Sequence, residues 1–174
     1  MGIGKTNMKI LMPFVEETKL VLNRMFEVEC MQMDPFIRSK SMRYQKPISA
    51  IVPINGVEVE GNLQVGFTKK LIFHLVQKMT GEERPKEINE DVIDLTQEIL
   101  NQVYAGANGR LEKQGYDLER AVPRILTEAV EPINVDKPAI VFPFFTRLGE
   151  FHLEISIVPK SEKKTDSKSE VKSA

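Results

Sequence analysis

Tryptophan is absent, cysteine occurs once and histidine twice, and the longest apolar run, Ala139 to Phe145, is seven residues and contains Pro143. A lone Cys30 excludes an intramolecular disulfide. Cys30, His74 and His152 are too isolated to make a zinc motif, and Cys30, just after a predicted helix, reads as packing rather than as half of a Cys-His nucleophile pair. Seven apolar residues fall far short of a bilayer span. No Gly-rich dinucleotide loop follows any predicted strand. Gly4-Lys5-Thr6 and Gly2 with Thr6 touch on phosphate-loop and myristoylation patterns, but both matches are too short to carry a function. Net charge is also scarce, at -1 overall. Five Lys against three acidic residues in 160–174 leave the first 159 residues at -3, the wrong sign for a nucleic-acid groove. These absences describe a cytoplasmic protein in a reducing compartment, with no metal or cofactor of its own and no nucleic-acid or membrane partner.

What is present is one domain's worth of globular sequence, residues 1–159, followed by a charged tail, 160–174, that has almost nothing to bury and is expected to be disordered. Apolar spacing predicts a helix over 12–28, with Pro13 in its first turn and residues 1–8 as a frayed lead-in. Ile48–Ile54 and Val57–Phe67 form a predicted hairpin around Asn55-Gly56. Thr68 and Gly81 bound a second helix, with Leu71, Ile72, Leu75, Val76 and Met79 on its apolar side. A third, long helix runs from Asp91 to about Gln114. Strands follow at 125–130, 139–145 and 151–158.

Placing Asn23 on Asn101, an offset of 78, also superposes Glu16 on Asp94, Thr18 on Thr96 and Leu22 on Leu100. Lys46-Pro47 with Ile51, Val52 and Pro53 echoes Lys137-Pro138 with Val141, Phe142 and Pro143. Each half thus reads as a long helix plus a hairpin. The predicted fold is α+β, a mixed and mostly antiparallel sheet with long helices on one face and a pseudo-two-fold repeat.

The long third helix carries the chemistry. Val92, Ile99, Leu100, Val103, Gly106 and Ala107 cluster on its inner side, and Asp94, Glu98, Asn101, Ala105 and Asn108 on its outer side. Glu98 and Asn101, three apart, project side by side. A solvated helix face would account for such a pair, yet Asn is a poor helix-interior residue, and Ala105-Gly106-Ala107 suits a surface that something must approach closely. A carboxylate can pair with a partner's Lys, while an amide, both donor and acceptor, can hold a water for attack, the role a Gln plays in GTPases.

With Asp94-x-x-x-Glu98-x-x-Asn101, the following Tyr104-Ala105-Gly106-Ala107-Asn108, Pro123 before a strand and the Val59-Glu60-Gly61 hairpin, the chain resembles the CheC/CheX/FliY phosphatases of bacterial chemotaxis over roughly residues 10–158, CheX most of all. The interval of 21 residues between Asn101 and Pro123 is one shorter than in the family signature. The first helix has Asn23 but Leu20 in the Glu position, so only one half keeps the pair, as in CheX. The resemblance implies a substrate, the aspartyl phosphate of a CheY-type response regulator, hydrolysed by water with Mg²⁺ bound by that receiver. It implies catalytic roles for Asn101, orienting the water, and Glu98, pairing with the receiver's Lys. Asp94, Ala105 and Asn108 would contact the partner, and the protein would be a homodimer. The alternative is a non-catalytic scaffold that docks a receiver without dephosphorylating it.

Overall fold

A computed structural model describes residues 5–38, 46–127 and 139–160 of the chain. The expected disorder of the tail, the end of the strand predicted over 125–130 and the Lys137-Pro138 echo lie wholly or almost wholly outside these residues.

Buried residues at 10, 11, 14, 15, 18, 21 and 22, all apolar but Thr18, keep the helical period, and the helix they form, α1 (Lys5–Phe26), begins at Lys5 rather than at 12. Pro13 therefore lies inside it, where it withholds one backbone hydrogen bond at a cost of about 3 kcal/mol. Ile10, Leu11, Phe14 and Val15 on the adjoining turns are all buried, each contributing about 1.5–3 kcal/mol, which outweighs that loss. Two short strands that the sequence reading missed follow, β1 (Met31–Gln32) and β2 (Phe36–Arg38). At two and three residues they carry no alternation to detect.

The hairpin is present as β3 (Ile48–Asn55) and β4 (Val59–Phe67), but Asn55 pairs with Glu60, so the turn is longer than the two-residue form that Asn-Gly suggested. Gly56 instead leaves room for Leu118, whose Cδ2 would lie 2.8 Å from an added Cβ. Helix α2 (Lys69–Thr80) ends at Gly81 in the left-handed conformation, φ 71°, as predicted. Thr68 precedes it, but its hydroxyl donates to the carbonyl of Glu150 (2.9 Å) rather than capping the helix. Met79 is exposed, not on the apolar side. Helix α3 (Glu90–Glu112) is capped by Asn89, whose side chain accepts from the Val92 N–H at 3.1 Å. β5 (Arg124–Thr127), β6 (Ala139–Thr146) and β7 (Gly149–Pro159) complete the described elements.

The strands form one sheet in the order β1-β6-β7-β4-β3-β5, with β2 also on β6. Every pairing among the described strands is antiparallel, so the parallel component of the expected mixed sheet is not found there. The order is itself two-fold: β4 and β7 are central, β3 and β6 flank them, and short strands close both sides. Leu63, Val65, Phe67, Phe142, Phe144, Phe151, Leu153 and Ile155 alternate onto one face and merge with the buried sides of α1, α2 and α3 in a continuous core. The three helices among the described residues thus serve one face, as the sequence reading expected.

The opposite face is partly polar yet buried around His152. Gly66 pairs with His152, and a Cβ there would lie 2.9 Å from the imidazole Cε1 and Nε2. Beside it, Arg38 forks onto Glu154 Oε1 through Nε (2.8 Å) and Nη2. Burial, reinforced by the charges of Lys46 and Arg38, lowers the His152 pKa from 6.5 to about 3. Burial raises the carboxyl of Glu154 against the pull of Arg38. A His that is neutral when folded and protonated when unfolded contributes stability that is complete above pH 6.5 and is lost progressively as the pH falls toward 3; the raised Glu154 acts in the opposite sense. Urea unfolding at pH 7.5 and 5.5 should show a loss of about 1 kcal/mol from His152 over that interval. The loss should shrink in His152→Gln, and an unchanged pH dependence in that variant would remove the assignment.

Candidate functional site

The core-facing period of α3 leaves Asp94, Glu98, Asn101 and Ala105 exposed in one stripe, as the sequence reading placed them. Helix α1 packs alongside, and the offset of 78 holds in three dimensions. Thr18 and Thr96 are both fully buried and each donates its hydroxyl to the carbonyl four residues back, Phe14 and Val92, at 2.7 Å. Leu22 and Leu100 are fully buried. Glu16, Leu20 and Asn23 are exposed on α1 where Asp94, Glu98 and Asn101 are exposed on α3, whereas the counterpart of Ala105, Glu27, lies just past the end of α1 with φ 56°. The two outward stripes correspond over these three positions, but only on α3 does an acid stand three residues before the Asn, Leu20 being in that place on α1.

Within that stripe, Glu98 Oε1 accepts a hydrogen bond from Gln102 Nε2 at 2.8 Å. Gln102 Oε1 in turn accepts from Arg24 Nη2 of α1 at 3.2 Å. Sequence reading missed both Gln102 and Arg24. The available signals were the i, i+4 spacing of Glu98 and Gln102 and the offset of 78, which places Arg24 on Gln102. Asn101 has no hydrogen bond to its side chain among the described residues, so its amide is available to solvent or a partner. Behind the stripe, Gln97 Nε2 donates to the carbonyl of buried Pro123 at 3.0 Å, so Pro123 braces the turn that carries Glu98.

The Tyr104–Asn108 segment has a different role from the one expected. Tyr104 Oη donates to the carbonyl of Glu119 (2.7 Å), and burial, with Glu119 nearby, raises its phenol pKa. Asn108 Nδ2 donates to the carbonyl of Leu118 at 3.3 Å and is half-buried, so its amide is engaged within the chain. Gly106 is small because α1 lies against it: an added Cβ would sit 2.3 Å from Glu17 Cδ and Oε1. Glu17 is itself buried and bound by Arg110 Nε at 3.2 Å, while Arg110 Nη1 reaches Glu16 at 2.9 Å. The close approach that the small residues suggested is thus made by the chain's own helix. Only Ala105 of the Ala105-Gly106-Ala107 run faces outward.

Among the described residues there is no group of three His, Cys, Asp or Glu that could hold a metal, and no helix long and apolar enough to cross a membrane. Cys30 is half-buried, and burial raises its thiol to about pKa 11, far from a reactive thiolate.

The described chain is thus a two-fold α+β sheet with paired long helices on one face and an exposed Glu-x-x-Asn on one of them. The chain belongs to the CheX family: the family model described as chemotaxis phosphatase CheX matches residues 48–145, which include α3 and its stripe. The fold is similar to that of CheX from Vibrio vulnificus, at 27% identity and TM-score 0.76, covering 86% of this chain and 99% of that one. CheX from Desulfovibrio desulfuricans is similar at 28% identity and TM-score 0.73, covering 87% and 99%. The CheX-CheY-BeF3-Mg complex from Borrelia burgdorferi matches in fold, at 21% identity and TM-score 0.72 over 85% and 97%. No curated protein matches the chain significantly.

Proposed function

We propose that this protein hydrolyses the aspartyl phosphate of a CheY-type response regulator. The observation that carries the reading is the pair Glu98 and Asn101, side by side and exposed on α3 inside the segment matched by the family model. In this reading the outer stripe of α3 docks over the phosphorylated carboxylate. Glu98 pairs with the receiver's active-site Lys, Asp94 and Ala105 lie against its surface, and Asn101 holds a water in line with the phosphorus. The water oxygen bonds to phosphorus as the bond to the aspartyl oxygen breaks. The products are the free carboxylate and inorganic phosphate, which takes both of the water's protons and exchanges one with solvent near neutral pH. Mg²⁺ belongs to the receiver, and in the Borrelia complex CheX and CheY are accompanied by BeF3 and Mg. In this reading the chain's contribution is geometric, the positioning of a water and of the receiver's Lys.

The test is the decay of radiolabelled phospho-receiver from the same organism with and without the protein. Accelerated decay is expected. Glu98→Ala should raise KM about tenfold, equivalent to about 1.4 kcal/mol of lost pairing. Unchanged decay with retained binding would favour the scaffold role instead. The same reading includes a homodimer, which light scattering on the purified chain tests directly.

A further inference from the structure

Glu98 does not stand alone on its helix. Its Oε1 is held by Gln102 Nε2 at 2.8 Å, and Gln102 Oε1 is held by Arg24 Nη2 at 3.2 Å, from the helix 78 residues earlier. The chemistry of the three groups sets the direction of this chain. A guanidinium only donates, so it selects the carbonyl end of the Gln102 amide. The NH2 end must then face Glu98, where it meets a group that only accepts. Donor and acceptor thus alternate from Arg24 to Glu98 with no frustrated contact. A positive charge on the carbonyl also polarises the amide and strengthens its donation to the carboxylate.

The neutral amide in the middle has a second consequence. A direct Arg24–Glu98 ion pair would have to be broken before Glu98 could pair with an incoming ammonium group. With Gln102 interposed, Glu98 is restrained through one oxygen while its charge is not cancelled by a contacting cation. Among the described residues no side chain bonds its Oε2.

We propose that Gln102 and Arg24 are positioning residues that hold the Glu98 carboxylate in place for the receiver's Lys, so that the half of the repeat with Leu20 in the Glu position serves the half that has the Glu. This rests on the phosphatase reading above. The relay fixes a side chain that would otherwise sample several rotamers, and fixing it before docking removes part of the entropy cost of binding.

The experiment measures the Kd for receiver loaded with Mg²⁺ and beryllofluoride, together with KM and kcat for phospho-receiver, in Gln102→Met, Arg24→Met and Arg24→Lys. Each is made in the wild-type and in the Glu98→Ala background. Expected are Kd and KM about fivefold higher in the two Met variants with kcat within about twofold, and near-wild-type values in Arg24→Lys, which keeps a charged donor. In the Glu98→Ala background the Met variants should have no further effect, because the relay acts only through that carboxylate. Thermal midpoints within a few degrees of the parent, about 1 kcal/mol at this size, separate this from loss of the α1–α3 contact. A weakening that persists without Glu98, or no weakening although Glu98→Ala itself binds poorly, overturns the relay and leaves the phosphatase reading standing. Normal binding by Glu98→Ala overturns the relay together with the pairing role of Glu98, and no acceleration by the wild type overturns the phosphatase reading and the relay with it.

Discussion

Asn101→Ala should lower kcat for phospho-receiver hydrolysis about a hundredfold or more, while the Kd for the beryllofluoride-loaded receiver stays within about threefold. A hundredfold corresponds to about 2.7 kcal/mol of barrier, within the range for removing one preorganised hydrogen-bonding group. The substitution isolates chemistry from folding for a structural reason. The Asn101 side chain is exposed and makes no intramolecular hydrogen bond among the described residues, and Ala is the better helix former by roughly 0.5 kcal/mol. The variant should therefore melt at or slightly above the wild-type temperature. Asn101→Asp keeps the shape but sets a negative charge beside the phosphoryl group, and is expected to be equally slow. Single-turnover decay of the phospho-receiver at saturating protein measures the loss. If affinity falls as far as turnover, the separation of roles between Asn101 and Glu98 is wrong.

The second large effect is on folding. Gly61→Ala should destabilise the protein by about 3 kcal/mol or more and lower the thermal midpoint by about 10 °C. Gly61 lies in β4, paired with Ile54 on one side and Ile157 of β7 on the other. A Cβ at this position would fall 1.7 Å from the Ser156 carbonyl oxygen, 2.7 Å from its carbon and 3.0 Å from Ile157 Cα. All three atoms are backbone, so no side chain can swing aside, and the two central strands would have to move apart. Gly109→Ala is the control. It lies on α3 with nothing within 4 Å of its would-be Cβ, and should stabilise by about 0.5–1 kcal/mol. Circular dichroism melts of the two variants decide the matter, and equal midpoints would show that the strands tolerate the added carbon.

Gly61 also shows where sequence reading stops. Val59-Glu60-Gly61 stood out as part of a family resemblance, but the need for glycine comes from the carbonyl of Ser156, ninety-five residues away in the chain. Gly106 is a similar case. Its small size was legible, and an approach by something else was the right physical inference, yet the approaching group is Glu17 of α1 and not a partner. Asn108 sat on the outer stripe by its angle, but contact with the Leu118 carbonyl engages it inside the protein. Pro13 misled in the opposite direction: local propensity ended the helix there, and the burial of Ile10 and Leu11 carried it on to Lys5. β1 and β2 were invisible because their few residues are strand only through pairing with β6.

Features that depend on local period and covalent spacing were legible in the residues alone. These include the extent of α3, the exposure of Asp94, Glu98, Asn101 and Ala105 in one stripe, the glycine stop of α2, the β-rich run of β3, the apolar-polar alternation along β4 and β7, and the repeat at an offset of 78. Rotation per residue is nearly constant in a helix or strand, so these angles follow from position alone. Which groups meet across the chain emerged only on folding: Arg24 on Gln102 and thereby on Glu98, Gln97 on Pro123, Tyr104 and Asn108 on the 118–119 segment, and Glu17 over Gly106. Those contacts depend on how two helices settle against one another and against the sheet. That geometry is set by packing of the whole core, and no short stretch of residues encodes it.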